Sequence, residues 1–226
     1  MAGVDLSEGV LLLVDKPLEW TSFDVVNKLR YALKVKKIGH AGTLDPLATG
    51  LLLIGVGKFT KKLNELQGLD KVYEGIFEIG KTTPSYDLET SFDSEADISG
   101  VSLEQVLAAA KHLTGPQDQI PPAFSAIRIK GERAYHKARN NETVKLDPRP
   151  VIIHEFDVPK FENGEVHFRI RCSKGTYIRS IARDLGNELG VGAYLKKLRR
   201  TEIGEYHVKD AQLLEDVITE YRSADS

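Results

Sequence analysis

A chain of 226 residues, 41% hydrophobic and 28% charged, is long enough to bury a sizeable core and fits one large domain, with or without an insertion, better than two independent ones. Its single cysteine, Cys172, excludes an internal disulfide, and six scattered histidines leave no recognisable zinc spacing, so no metal is expected and Cys172 reads as a buried structural thiol. The net charge of −2 argues against a polyanionic partner, but residues 128–200 hold 17 Lys+Arg against 9 Asp+Glu; a basic face and a solvated mixed-charge surface are both open on charge alone.

The first fifteen residues lack a basic stretch followed by a long apolar segment, and the apolar run Val10 to Val14 is too short to span a bilayer, so a soluble, cytoplasmic protein is expected. That run reads as a buried strand. Thr21 or Ser22 caps a helix that carries Val25, Val26, Leu29 and Leu33 at helical spacing. Residues 39–50, bounded by glycines, form a loop leading into a second buried strand at Leu51 to Ile54. Lys71 to Gly80 alternates like a strand, residues 82–100 are polar and turn-rich, and Ser102-x-x-Gln105 opens a helix through Leu113. Val151 to Val158 and Glu165 to Cys172, joined by residues 161–164, make a hairpin. A helix over residues 176–189 follows, with Ile178, Ile181, Ala182, Leu185 and Leu189 as its apolar stripe. Strands clustered with irregularly placed helices favour an α+β fold around a mixed sheet.

Two segments have the composition of a chemical site. Within residues 39–50, two glycines and Pro46 fix an irregular backbone around His40, Thr43 and Asp45, and Pro46 keeps Asp45 out of the helical region. Locally, a tight turn in which Asp45 hydrogen-bonds neighbouring amides accounts for the pattern better than a catalytic role does. The second segment, residues 171–180, passes from strand through glycine turn to helix and puts Arg179 in the first helical turn, where it is placed to meet a carboxylate from another loop. A structural ion pair would look the same. There is no Gly-x-Gly-x-x-Gly after a strand and no Walker loop, which leaves nucleophilic or acid/base work by one carboxylate as the chemistry compatible with these residues.

Taken in order, the motifs resemble the tRNA pseudouridine-55 synthases of the TruB family over nearly the whole chain. The most specific is Gly39-His40-Ala41-Gly42-Thr43-Leu44-Asp45-Pro46-Leu47-Ala48-Thr49-Gly50. Before it stand Asp15-Lys16-Pro17 with Thr21-Ser22. After it come Lys71-Val72-Tyr73, Gln119-Ile120-Pro121-Pro122, Ala134-Tyr135, Cys172-Ser173-Lys174-Gly175-Thr176-Tyr177-Ile178-Arg179 and Leu198-Arg199-Arg200. The resemblance implies a pseudouridine-synthase-like catalytic domain with a mixed, largely antiparallel sheet, flanking helices and an RNA-gripping insertion at residues 119–151. It implies that Asp45 is the catalytic aspartate, Arg179 its ion-pair partner, and Tyr73 the ring that stacks on a flipped uracil and sits near its C5 proton. His40 would fill the space vacated in the T-loop, Leu198 would line the base pocket, and Lys16 and Tyr177 would belong to the substrate site. Arg128, Lys130, Arg133, Lys137 and Arg139 suit phosphate contacts, which position RNA without reading its sequence. Asp87 is carried over as an acidic position near the RNA. The expected partner is the T-stem-loop of tRNA, with no cofactor, no guide RNA, no membrane and a monomeric enzyme. Glu19 stands where many relatives have glycine, and only 26 residues follow Arg200, so no separate C-terminal PUA-type domain is expected.

Overall fold

The computed structural model describes residues 6, 8–125, 128–129, 132–133 and 146–223. After β1 (Val10–Lys16), helix α1 (Ser22–Ala32) starts at a reciprocal cap. The Thr21 hydroxyl accepts the Asp24 N–H at 3.0 Å, and Asp24 accepts the Thr21 N–H at 2.9 Å. Of the two cap candidates the fold uses Thr21, and Ser22 enters the first turn with its hydroxyl uncommitted to the helix. Half of the stretch expected as one loop is strand: β2 (Ile38–Ala41) and β3 (Ala48–Val56) leave residues 42–47 irregular. A 3-10 turn (Gly57–Lys62) and a short α2 (Leu63–Gln67) lead to β4 (Lys71–Ile79). Residues 82–100 contain little regular structure beyond the two-residue pair of β5 (Lys81–Thr82) with β6 (Ser94–Glu95).

Helix α3 (Leu103–His112) begins at the predicted Ser102–Gln105 capping box and is followed by β7 (Gly115–Gln119) and the small pair β8 (Arg128–Ile129) and β9 (Glu132–Arg133). The predicted hairpin is β10 (Arg149–Glu162) against β11 (Glu165–Cys172), and its joint is shorter than the sequence suggested. Only Asn163 and Gly164 turn, both in the left-handed region (φ 51° and 79°), because an Asn-Gly pair adopts that conformation cheaply and its twist matches that of the strands. Helix α4 (Ile178–Leu189) then gives way to β12 (Ala193–Ile203), β13 (Tyr206–His207), β14 (Gln212–Leu213) and α5 (Leu214–Ser223). The result is the α+β class expected, with a mixed sheet in which antiparallel pairs dominate. Cys172, the single cysteine of the chain, is buried as expected.

The chain divides into two compact units, Met1–Glu74 with Leu198–Ser226, and Gly75–Lys197. In the first, β3 is the central strand. One edge pairs along its length with antiparallel β1. The other edge is shared: β12 runs parallel to residues 48–50, and β2 antiparallel to residues 53–56. Both faces of β3 are covered, which explains a continuous apolar run rather than an alternating one. Leu52, Ile54 and Val56 join Leu12, Val14, Val25, Leu29, Val217 and Ile218 on one face. Leu51 and Leu53 join Ala41, Leu63 and Ile203 on the other. In the second unit, Phe77 stacks on Phe168 with ring centroids 4.0 Å apart, and α4 buries Ile178, Ile181, Ala182 and Leu185.

Candidate active site

The shared edge of β3 accounts for the position of the Asp45 loop. β12 supplies partners for residues 48–50 and β2 for residues 53–56, so the carbonyl of Leu51 faces the gap between them. A buried carbonyl needs a donor. The Arg200 side chain, 1% exposed, fills the gap: its Nε donates to Leu51 O at 2.8 Å and its Nη2 to Gly42 O at 2.9 Å. Lys16, the last residue of β1, is fully buried and reaches the other end of the loop. Its Nζ donates to Trp20 O (2.5 Å), Pro17 O (2.9 Å) and Pro46 O (3.4 Å), and the Glu19 N–H also donates to Pro46 O (2.9 Å). Between these anchors the Ser22 hydroxyl accepts the Leu44 N–H at 2.9 Å and donates to Leu44 O at 3.3 Å. Main-chain groups at positions 42, 44 and 46 are thus held by the protein interior. Leu44 is buried, and Thr43 and Asp45 retain exposure.

Position 19, where the resemblance led to an expectation of glycine, has φ 66°, a left-handed conformation that glycine adopts freely and that glutamate holds here within this hydrogen-bonded turn. Gly50 has a stricter requirement. Its φ is 101°, and a Cβ there would lie 2.3 Å from Arg200 O and 2.8 Å from Arg200 N, both backbone atoms of the parallel neighbour. Gly50→Ala should lower unfolding free energy by about 2–4 kcal/mol, combining left-handed strain with overpacking. A urea titration matching the wild-type midpoint would contradict this.

Two buried cations alter nearby titration. Burial, with Arg200 acting in the same direction, lowers the Lys16 ammonium to about 8, while Asp45 and Asp24 pull it back up. Between pH 8 and 10.5 the unfolded chain therefore holds a proton that the folded chain has released, so this group makes folding more favourable as pH rises through that window. Lys16→Met should remove that component. The difference in unfolding free energy, wild type minus variant, should be flat below about pH 8 and rise towards pH 10.5. A difference that is constant or falls over the same range would place the titration elsewhere. Burial first and Arg200 second also lower the His40 value, keeping the imidazole neutral at neutral pH, with Nε2 3.1 Å from Thr43 Oγ1. Leu198 pairs with Ala48 across the parallel register and is partly exposed, whereas Tyr73 on β4 is buried at 8%.

In the second unit Arg179 follows the first residue of α4 and is 4% exposed. Its Nε lies 3.6 Å from Asp87 Oδ2, and its Nη1 donates to Ser85 O at 3.3 Å. Asp87 is held in turn: its Oδ1 accepts the Glu89 N–H at 2.9 Å, and its carbonyl accepts from Thr83 Oγ1 (2.6 Å) and Ser85 Oγ (3.2 Å). At 5% exposure, its position points to holding Arg179 more than to meeting phosphate oxygens. The main chain of Tyr177, which precedes α4, is locked by buried Gln119, whose Oε1 accepts the Tyr177 N–H (2.8 Å) and whose Nε2 donates to Tyr177 O (3.2 Å).

Lys16, His40, Asp45, Tyr73 and Leu198 therefore belong to one unit, and Asp87, Tyr177 and Arg179 to the other. Lys130, Lys137 and Arg139 lie outside the described residues, as do the side chains of Arg128 and Arg133, whose backbones pair in β8 and β9. Three of the basic residues in the stretch 128–200 are paired with carboxylates. Arg199 forks onto Asp15 (3.0 and 2.6 Å), Lys196 bridges Glu78 and Glu165 (2.6 Å each), and Arg169 meets Glu155 at 3.1 Å. Ser22, read only as a candidate helix cap, and Arg200, quoted without a role, were not read as anchors of the loop, since their partners are 22 and 149 to 158 positions away. Among the described residues, no cluster of His, Cys, Asp and Glu could hold a metal, and no helix is long and apolar enough to cross a membrane.

The model of the TruB family pseudouridylate synthases (N terminal domain) matches residues 30–178, and that of the tRNA pseudouridylate synthase B C-terminal domain matches residues 179–226. The tRNA pseudouridine synthase B of Flavobacterium johnsoniae is 52% identical over 211 residues, spanning 90% of this chain and 92% of that protein. That of Chlorobaculum tepidum is 46% identical over 224 residues, spanning 97% and 93%. Among solved structures, a chain of an H/ACA RNP bound to a substrate RNA containing 2′-deoxyuridine superposes with TM-score 0.71 at 25% identity, covering 96% of this chain. A chain of a Cbf5-Nop10-Gar1 complex gives 0.75 at 26%, covering 98%. This chain spans 54% and 56% of those two. With family models over residues 30–226 and curated relatives matched nearly end to end, the chain belongs to the TruB family of pseudouridylate synthases.

Proposed function

We propose that the protein converts uridine 55 in the T-loop of tRNA to pseudouridine, with Asp45 as the catalytic carboxylate, and that it works in the cytoplasm as a monomer without a guide RNA. The observation that supports this most is the Asp45 loop, whose main chain is fixed from behind at residues 42, 44 and 46 while the Asp45 side chain stays accessible. A uracil inside a folded T-loop hides its glycosidic bond, so the nucleotide leaves the stack at a cost of a few kcal/mol. Stacking on Tyr73 returns about 1–3 kcal/mol, and neutral His40 is suited to the vacated space because it enters without a charge to desolvate.

Asp45 is then placed for attack at C6 of the ring, attack at C1′ of the ribose, or removal of the C2′ proton. Each route breaks the bond to N1, turns the base and rejoins it through C5, and each needs an ionised carboxylate. Arg179, held by Asp87, is the ion-pair partner that orients Asp45. Leu198 lines the base pocket and Tyr177 belongs to the substrate site. Lys16, fully buried, supports that site from within through Trp20 O, Pro17 O and Pro46 O rather than touching substrate. Arg128, Lys130, Arg133, Lys137 and Arg139 grip phosphates from the insertion at residues 119–151. The test is an unmodified tRNA transcript incubated with the purified protein alone and read for pseudouridine at position 55. A folded preparation that forms none, or that forms it only when a guide RNA is added, overturns the proposal.

A further inference from the structure

We infer that Ser22 is a positioning residue for the pseudouridylation reaction, setting the direction in which the Asp45 side chain leaves the backbone; this rests on Asp45 being the catalytic carboxylate. Two peptide planes meet at the Asp45 Cα, and because peptides are planar their orientations fix the Cα–Cβ vector. The plane that follows Asp45 is held by the Pro46 ring and by the Ala48 N–H, which donates to Asp45 O at 3.0 Å. The plane that precedes it contains Leu44 C=O and Asp45 N–H, and the Ser22 hydroxyl donates to that carbonyl at 3.3 Å. The same oxygen accepts the Leu44 N–H at 2.9 Å, so one side chain holds the two successive peptide groups that lead to Asp45.

Ser22 is 1% exposed and its residue begins α1, but the helix does not draw on its hydroxyl, because Thr21 provides the cap. The hydroxyl is therefore spent on the loop. Removing it strands a buried N–H and a buried carbonyl one residue from Asp45 and lets the preceding plane rotate. A shift of about 1 Å at a reacting group is enough to cost roughly 100-fold in rate.

The experiment compares wild type, Ser22→Ala, Ser22→Cys, Ser22→Thr, Thr21→Ala and Asp45→Asn in single-turnover pseudouridine formation on a tRNA transcript, with tRNA affinity and thermal midpoint measured alongside. Ser22→Ala is expected to slow the chemical step by about 10- to 100-fold with affinity within twofold of wild type. Ser22→Cys keeps the shape with a weak hydrogen-bonding group; it should fold and still lose at least about tenfold, and it decides the question if the alanine variant does not fold. Ser22→Thr retains the hydroxyl and should recover most of the rate. Thr21→Ala removes the cap of the same helix without touching Leu44, and should lower the thermal midpoint with little change in rate. Wild-type rates in Ser22→Ala or Ser22→Cys, equal losses in Thr21→Ala, or affinity lost in step with rate each overturn the inference. An inactive wild type or an active Asp45→Asn overturns the underlying assignment of Asp45 instead.

Discussion

With asparagine in place of Asp45, pseudouridine formation at position 55 is expected to fall by more than about 10⁴-fold, while tRNA affinity and the urea midpoint change little. The amide is nearly isosteric with the carboxylate, and the loop that carries it is shaped by Arg200, Ser22 and Lys16 rather than by residue 45. The substitution therefore removes a nucleophile or base without removing its mount. A variant that binds tRNA normally and turns over within tenfold of wild type would transfer the chemistry to another group. A variant that fails to bind would make Asp45 a recognition residue.

The second large effect is expected at Asp87. Its carboxylate faces the Arg179 guanidinium at 3.6 Å with side-chain exposures of 7% and 5%. Removing one member of such a pair leaves a charge in a low-dielectric site, which costs about 3–5 kcal/mol. Asp87→Asn should thus lower the unfolding free energy by that amount and, by loosening Arg179, cut turnover as well. Asp87→Asn combined with Arg179→Met should regain part of the stability, because both members of the buried pair are then neutral, but none of the activity. Denaturant titration of the two single variants and the double variant measures the coupling. Additive losses would show that the two side chains do not stabilise one another.

These two residues also show how far the sequence could be read. The elements with local signatures were legible: the Thr21 cap with its helical stripe, the Ser102–Gln105 box, and the apolar run of β3. The hairpin was legible too, but its joint was drawn too wide because Phe161 and Glu162 continue the strand up to Asn163. What was missed has polar residues inside or partners far away. β12 contains Lys196, Lys197, Arg199 and Arg200, and no strand was read there. Arg200 is in fact buried against carbonyls 149 and 158 positions distant, and Lys196 is tied to Glu78 and Glu165. Helix α5 had a usable pattern in Leu214, Val217, Ile218 and Tyr221, which pack with the α1 core, so there the signal was present and unused. At the site, the local pattern around Asp45 described a turn and nothing more; the ordered motifs, not the turn, singled out the residue. The pairing of Arg179 with Asp87 could not be anticipated, since it depends on a turn at Thr83 to Thr90 built by side-chain hydroxyls.

The manner in which residues 42–46 are held has a bearing on what else the scaffold could host. The anchors from Arg200, Ser22 and Lys16 each grip a main-chain atom, and main-chain atoms are the same whatever side chain they bear. These hydrogen bonds therefore do not require a particular side chain at position 45, provided that residue tolerates the conformation Pro46 imposes. Such a mount allows the reactive group to be exchanged while its point of attachment stays in place, so chemistry and architecture at this loop are separable properties of the chain.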